Sequence, residues 1–158
     1  ARGLGLVFIT HFLDEVYRIA DRVTVLRNGK NVGTLATSQI SRSELVGWML
    51  GGKGASVTVA QHERGGGNVR VGVAPALRVK GIGKRRFVAP LDLHIRPGEV
   101  VGLAGLLGSG RTETAQLIFG IVRRDSGSVE VDGHETAARS PRQAIAAGLG
   151  LMRSMPRR

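Results

Sequence analysis

An α/β fold is what this sequence predicts, on three observations. Short apolar runs of strand length alternate with stretches of helical periodicity, and Gly, Asn, Asp and Ser collect between them. The apolar run Val100-Val101-Gly102-Leu103-Ala104 passes straight into a glycine-rich turn, and a helical pattern begins on its far side. Two further turns, Asn28-Gly29 and Asp132-Gly133, each lie between strand-like stretches, so hairpins accompany the buried strand.

Taken in order, Leu6-Val7-Phe8-Ile9-Thr10 is a short apolar strand that ends at His11. Asp14 to Ala20 suits a helix with Leu13, Val16, Tyr17 and Ala20 on one face. Arg22 to Arg27 alternates through Val23 and Val25, Asn28-Gly29 reverses the chain, and Asn31 to Leu35 returns. Ser41-Arg42-Ser43-Glu44 is a capping box, opening a helix through Val46, Trp48, Met49 and Leu50 that Gly51-Gly52 stops. Residues 51–75, with Gly65-Gly66-Gly67 and scattered polar side chains, read as a linker. The pattern resumes at Ala76. Leu91, Leu93 and Ile95 alternate as a half-buried strand, and Pro97-Gly98 turns into the strand that feeds the glycine loop. Thr112 to Phe119 places Ala115, Leu117, Ile118 and Phe119 at helical positions. Asp125-Ser126-Gly127, a strand from Ser128 to Val131, and Asp132-Gly133 mark a second hairpin region. Ser140-Pro141 caps a helix through Ala147 that Gly148 ends, and Leu149 to Met152 reads as one more strand.

Composition narrows the function classes. The formal net charge is +11, from 23 Lys plus Arg against 12 Asp plus Glu, with clusters at Lys84-Arg85-Arg86, Arg123-Arg124 and the tail Arg153, Arg157, Arg158. Such an excess suits nucleic acid, an anionic membrane surface, or solvated basic faces. One Trp and one Tyr leave few stacking platforms for single strands, which disfavours nucleic acid as partner. With no cysteine, disulfides and thiolate metal sites are excluded, in keeping with a reducing cytoplasm. No run approaches the roughly 18 apolar residues of a membrane helix.

The chemistry is concentrated in Gly105-Leu106-Leu107-Gly108-Ser109-Gly110-Arg111-Thr112, which has the spacing G-x-x-x-x-G-K-[ST] with arginine at the lysine position. Small residues let backbone N–H groups turn inward, and the following helix N-terminus adds partial positive charge, so the loop suits a phosphate. The Thr112 hydroxyl is the candidate Mg²⁺ ligand and Arg111 the candidate partner of the outer phosphates. A glycine-rich strand-to-helix turn can also be purely structural. Val129-Glu130-Val131-Asp132-Gly133 superficially offers a strand ending in an acid, but Asp132 precedes a hairpin glycine and reads as a turn residue. Asp14 and Glu15 read as first-turn helix acids.

Several of these stretches resemble one family. Ile9-Thr10-His11-Phe12-Leu13-Asp14-Glu15-Val16, then Ala20-Asp21-Arg22-Val23-Thr24-Val25-Leu26-Arg27 and Asn28-Gly29-Lys30, resemble the switch-histidine region of ABC transporter ATPases. Pro97-Gly98-Glu99-Val100, the loop with Arg111-Thr112-Glu113, Ser126-Gly127-Ser128-Val129 and Val131-Asp132-Gly133-His134 resemble the opening of another such ATPase domain. The Gly110-Arg111-Thr112-Glu113 sequence is similar to the second cassette of double-cassette sugar importers of the ribose, galactose and xylose type.

The resemblance implies a P-loop NTPase fold in two partial cassettes: 1–50 as the end of the first, 51–75 as linker, 76–158 as the beginning of the second. It implies ATP and Mg²⁺ as cofactors, held by Gly105, Gly108, Ser109, Gly110, Arg111, Thr112 and Glu113, and His11 as the catalytic residue that contacts a γ-phosphate. It assigns that phosphate to the first cassette's own loop, which these residues do not include, and not to Gly105–Thr112. The second cassette's signature loop and acid-terminated strand are likewise not among them, so the chain reads as a fragment that binds nucleotide weakly and does not hydrolyse it alone. Arg153-Ser154-Met155-Pro156-Arg157-Arg158 departs from the family's usual continuation. Phe87 lies where the family often sets an aromatic ring against adenine. The implied partners are membrane permease subunits, a second cassette or subunit and, indirectly, a periplasmic sugar-binding protein, with the chain on the inner face of the cell membrane. Two other classes remain open on the residues alone: an independent P-loop enzyme such as a kinase, and a basic nucleic-acid-binding module.

Overall fold

The computed structural model describes residues 4–51, 73–136 and 139–152. Most of the stretch read as a linker, and the basic tail, lie outside the described residues. The order of elements is β1 (Leu6–Ile9), α1 (Leu13–Ile19), β2 (Arg22–Arg27), β3 (Lys30–Ala36), α2 (Arg42–Leu50), β4 (Leu77–Lys84), β5 (Val88–Ile95), β6 (Val100–Ala104), α3 (Arg111–Ile118), β7 (Ser126–Val131), β8 (His134–Thr136) and α4 (Pro141–Ala146).

They form two four-stranded sheets, ordered β1-β6-β2-β3 and β5-β4-β7-β8. The second is antiparallel throughout. In the first, β6 runs parallel to both neighbours: Val100–Leu103 pair with Leu6–Ile9, and Val101–Ala104 pair with Arg22–Val25. Val101, Leu103 and Ala104 are fully buried, so β6 needs a hydrogen-bonding partner on each side. Both partners come from the first fifty residues. The two segments that the sequence assigns to different cassettes therefore interleave within one sheet.

Their packing follows. Leu26, Val101 and Leu103 of the first sheet meet Leu77, Val79, Ile82, Leu91, Leu93 and Ile95 of the second, with Leu117 and Ile118 of α3 among them. A second cluster joins Val16 and Ala20, Val23 and Val25 of β2, and Leu45, Trp48 and Met49 of α2 to Ala104 of β6. Each fully buried Leu or Val contributes about 1.5–3 kcal/mol, and both clusters draw on both segments.

A polar latch sits at the other end of β6. Glu99 is fully buried and takes the Nε–H of Arg22 on one carboxylate oxygen and the backbone N–H of Arg96 on the other, at 2.8 Å. Arg22 also donates to the backbone carbonyl of His94 at 2.6 Å. Asp21 accepts from Val100 N–H at 2.7 Å through its side chain and donates its own N–H to Val100 O at 2.8 Å. Burial and the Arg22 charge push the His94 imidazole below its usual pKa.

Local expectations are met at the capping box, where Ser41 and Glu44 exchange both hydrogen bonds, and at Gly51, which closes α2 in the left-handed region at φ 87°. Ser140 caps α4 with Pro141 inside its first turn. Two expectations are corrected. β2 is buried on both faces, not one: Thr24 is as inaccessible as Val23 and Val25, and its hydroxyl meets that of Thr34 at 2.9 Å. Leu149–Met152 forms no strand. A strand needs a ladder partner, and this segment has none among the described residues. Leu149 instead packs on the core, while Met152 is 94% exposed.

Candidate phosphate-binding site

β1, β2 and β6 are parallel, so their carboxyl ends lie at one edge of the sheet, the side on which open α/β sheets bind ligands. The loop after β6 opens there. Gly105 leaves the strand at φ 155°, where a Cβ would stand 2.3 Å from the Leu26 carbonyl oxygen and 2.5 Å from the Ser109 hydroxyl. Only glycine fits. Ser109 N–H closes the turn on Leu106 O at 3.1 Å, Gly108 and Gly110 both have positive φ, and Gly110 caps α3. Gly110 O then accepts from the Thr114 N–H at 2.8 Å and its hydroxyl at 2.7 Å, which secures the first turn.

Two side chains in this loop stand out among the described residues. The Ser109 hydroxyl is buried without a hydrogen bond. Arg111 is 8% exposed and forms no ion pair with any described residue. Burial pushes its pKa down, and nearby Glu113 offsets part of that. Thr112 is exposed at the second position of α3.

His11 follows β1 in a tight turn. Thr10 donates its hydroxyl to Glu15 at 2.6 Å and accepts the Phe12 N–H at 3.0 Å, and the exposed His11 ring lies 4.1 Å from that of Phe12. Ile9 pairs with Leu103, so His11 lies two residues beyond one member of that pair and Gly105 two beyond the other. The histidine and the loop that the resemblance assigned to separate sites are thus brought to the same sheet edge. The cause is the pairing of β1 with β6, which no local pattern encodes.

Asp132 takes φ 47° in the β7–β8 turn, as a turn residue would, and no three His, Asp or Glu among the described residues gather as a metal cluster. Phe87 is 60% exposed on the β4–β5 turn, and the neighbouring Val88 reaches within 3.5 Å of where a Gly110 Cβ would be. Sequence reasoning missed Leu26 and Gly29 as neighbours of the loop. An Asn-Gly pair signals a hairpin and says nothing of what the hairpin touches.

Residues 88–155 match the sequence model of the ABC transporter family. Over that stretch the chain is similar to ABC transporters. The galactofuranose transporter ATP-binding protein of Escherichia coli K12 is 48% identical over 149 residues, 94% of this chain and 29% of that protein. The ribose import ATP-binding protein of Rhizobium meliloti is 42% identical over 151 residues, 96% of this chain and 29% of its own length. The fructose import ATP-binding protein of Bifidobacterium longum is 39% identical over 143 residues, covering 90% and 28%. The chain spans less than a third of the length of these relatives. Its α/β sheets around a glycine loop fit a P-loop fold of the ABC ATPase kind.

Proposed function

We propose that this chain supplies an ATP–Mg²⁺ site to the ATP-binding subunit of a carbohydrate-importing ABC transporter. The observation that carries the reading is the orphaned Ser109 hydroxyl beside Arg111, which forms no ion pair with any described residue, both at the N-terminal end of α3. A buried hydroxyl without a partner is costly, and a phosphate group would satisfy it and give Arg111 an anion. Gly105, Gly108 and Gly110 shape the backbone cradle, and Glu113 tempers the field around Arg111. Mg²⁺, held through the Thr112 hydroxyl, would neutralise charge on the outer phosphates. His11, at the same sheet edge, is the candidate contact to the terminal phosphate.

Residues 1–50 are read as the end of one cassette and 76–158 as the beginning of the next, joined through 51–75. The names of the relatives support sugar import; membrane permease subunits and a second cassette or subunit are the proposed partners, and the inner face of the cell membrane the proposed location. No helix among the described residues is long and apolar enough to cross a membrane. Hydrolysis needs a strand-end acid beside the Mg²⁺ and a positioned water. The described residues supply no such acid, so the chain alone is expected to bind nucleotide without turnover.

Calorimetric titration with ATP–Mg²⁺ tests the site. Binding should be measurable in the unaltered protein and lost in Gly110→Val, whose branched side chain cannot adopt φ 94° beside the loop. Equal binding by that variant would remove the nucleotide from this loop.

A further inference from the structure

We infer that the Asn28-Gly29 turn is a positioning element of the phosphate loop, an inference that rests on the nucleotide reading above. The turn joins β2 to β3, far from the loop in sequence, yet Gly29 is wedged between the loop and β5. Its N–H donates to Ser109 O at 3.0 Å, and its carbonyl accepts the Ala89 N–H at 2.7 Å. Asn28 and Gly29 take φ 50° and 72°, the pair of positive values that a two-residue hairpin turn requires.

The fit leaves no room for a side chain. A Cβ on Gly29 would stand 2.4 Å from Phe87 O, and a Cβ on Gly110 would stand 3.0 Å from the Gly29 Cα. With Leu26 O against Gly105, the β2–β3 hairpin touches the loop at both ends.

The hydrogen bond to Ser109 has a consequence for the ligand. Ser109 C=O and Gly110 N–H belong to one planar trans peptide, so they point in opposite directions. Holding the oxygen on Gly29 fixes that plane and aims the Gly110 N–H away from the hairpin. A loop that must present its N–H groups to a phosphate gains from having this peptide preset, because the ordering cost is met before the ligand arrives. Seating of the hairpin and occupancy of the loop are then coupled, and the coupling is reciprocal.

Gly29→Ala tests this, with Gly33→Ala as control. A Cβ at Gly33 would meet the Trp48 ring at 2.5 Å, on β3 and away from the loop. Both variants should melt lower than the unaltered protein. At a temperature where both remain folded, only Gly29→Ala should weaken ATP–Mg²⁺ binding, by about tenfold or more. Unchanged affinity in Gly29→Ala, or an equal loss in Gly33→Ala, would overturn the inference. Hydrogen exchange on the unaltered protein serves if Gly29→Ala does not fold: the Gly29 amide should exchange more slowly once ATP–Mg²⁺ is added, and an unchanged rate would overturn the inference. If the unaltered protein binds no nucleotide at all, the nucleotide reading itself fails instead.

Discussion

Arg111 is the residue on which the site turns. Lysine would bring a compact charge on a flexible stem, whereas arginine brings a planar, permanently charged fork that suits two phosphate oxygens at once. The residue is 8% exposed as a whole, with no ion-pair partner among the described residues. Burial pushes its pKa down, a desolvation cost to the charged form that Glu113 offsets in part. Arg111→Met keeps the length and removes the charge. It should raise the melting temperature of the nucleotide-free protein by roughly 2–4 °C and abolish the rise that ATP–Mg²⁺ produces in the unaltered chain. A variant that melts lower would mean that the guanidinium stabilises the free protein, and the missing-anion reading would fall.

Among the elements, β5 carries the pH response. His94 sits near its end, with Nε2 3.4 Å from Arg22 Nη1, and its pKa is lowered by burial first and by the Arg22 charge next. The unfolded chain binds its proton near about pH 6.5, while the fold holds the ring neutral to a lower pH. Between those two values the unfolded state binds more protons, so stability rises with pH there. The contribution is full above about pH 6.5 and is lost as pH falls through the window below it. Urea unfolding between about pH 7 and pH 5 should show that fall in the unaltered chain and a flatter profile in His94→Gln; matching profiles would remove His94 from the account. Asp125 and Glu130, whose pKa values are lowered, lose their contributions only at more acid pH.

The same element shows what could be read from sequence. Leu91, Leu93 and Ile95 alternate cleanly, and β5 follows that pattern. The loop, its feeding strand and α3 were legible because glycine spacing and strand-to-helix order are local. β4 was not. Gly81 and Gly83 interrupt its pattern, and its ladders with β5 and β7 shift register around them. Leu149–Met152 has the residues of a strand but no edge to join. Nor could any window of sequence show that β6 lies between β1 and β2. That arrangement brings the Asn28-Gly29 turn to the loop and His11 to the same sheet edge, and it is decided by burial across long sequence separations.

At the scale of the whole molecule, the question is whether the two segments unfold together. Their joint is specific: Glu99 is fully buried, and its Arg22 partner has a side chain only 19% exposed. Glu99 lies in the second segment and Arg22 in the first, so Glu99→Ala strands a guanidinium across the boundary. Breaking a buried pair by removing one partner costs about 3–5 kcal/mol. Trp48, the single tryptophan, lies in the first segment, in a cluster with Val16, Val23 and Leu45 that Ala104 of β6 also joins. Two independent pieces would leave Trp48 fluorescence with its original unfolding midpoint in Glu99→Ala. One cooperative unit, built on β6 between β1 and β2, requires the Trp48 midpoint and the far-ultraviolet circular dichroism midpoint to fall together. Coincidence of the two probes in both proteins is the expected result. If the variant shifts circular dichroism while Trp48 stays at its original midpoint, the shared sheet is not what holds the first segment folded.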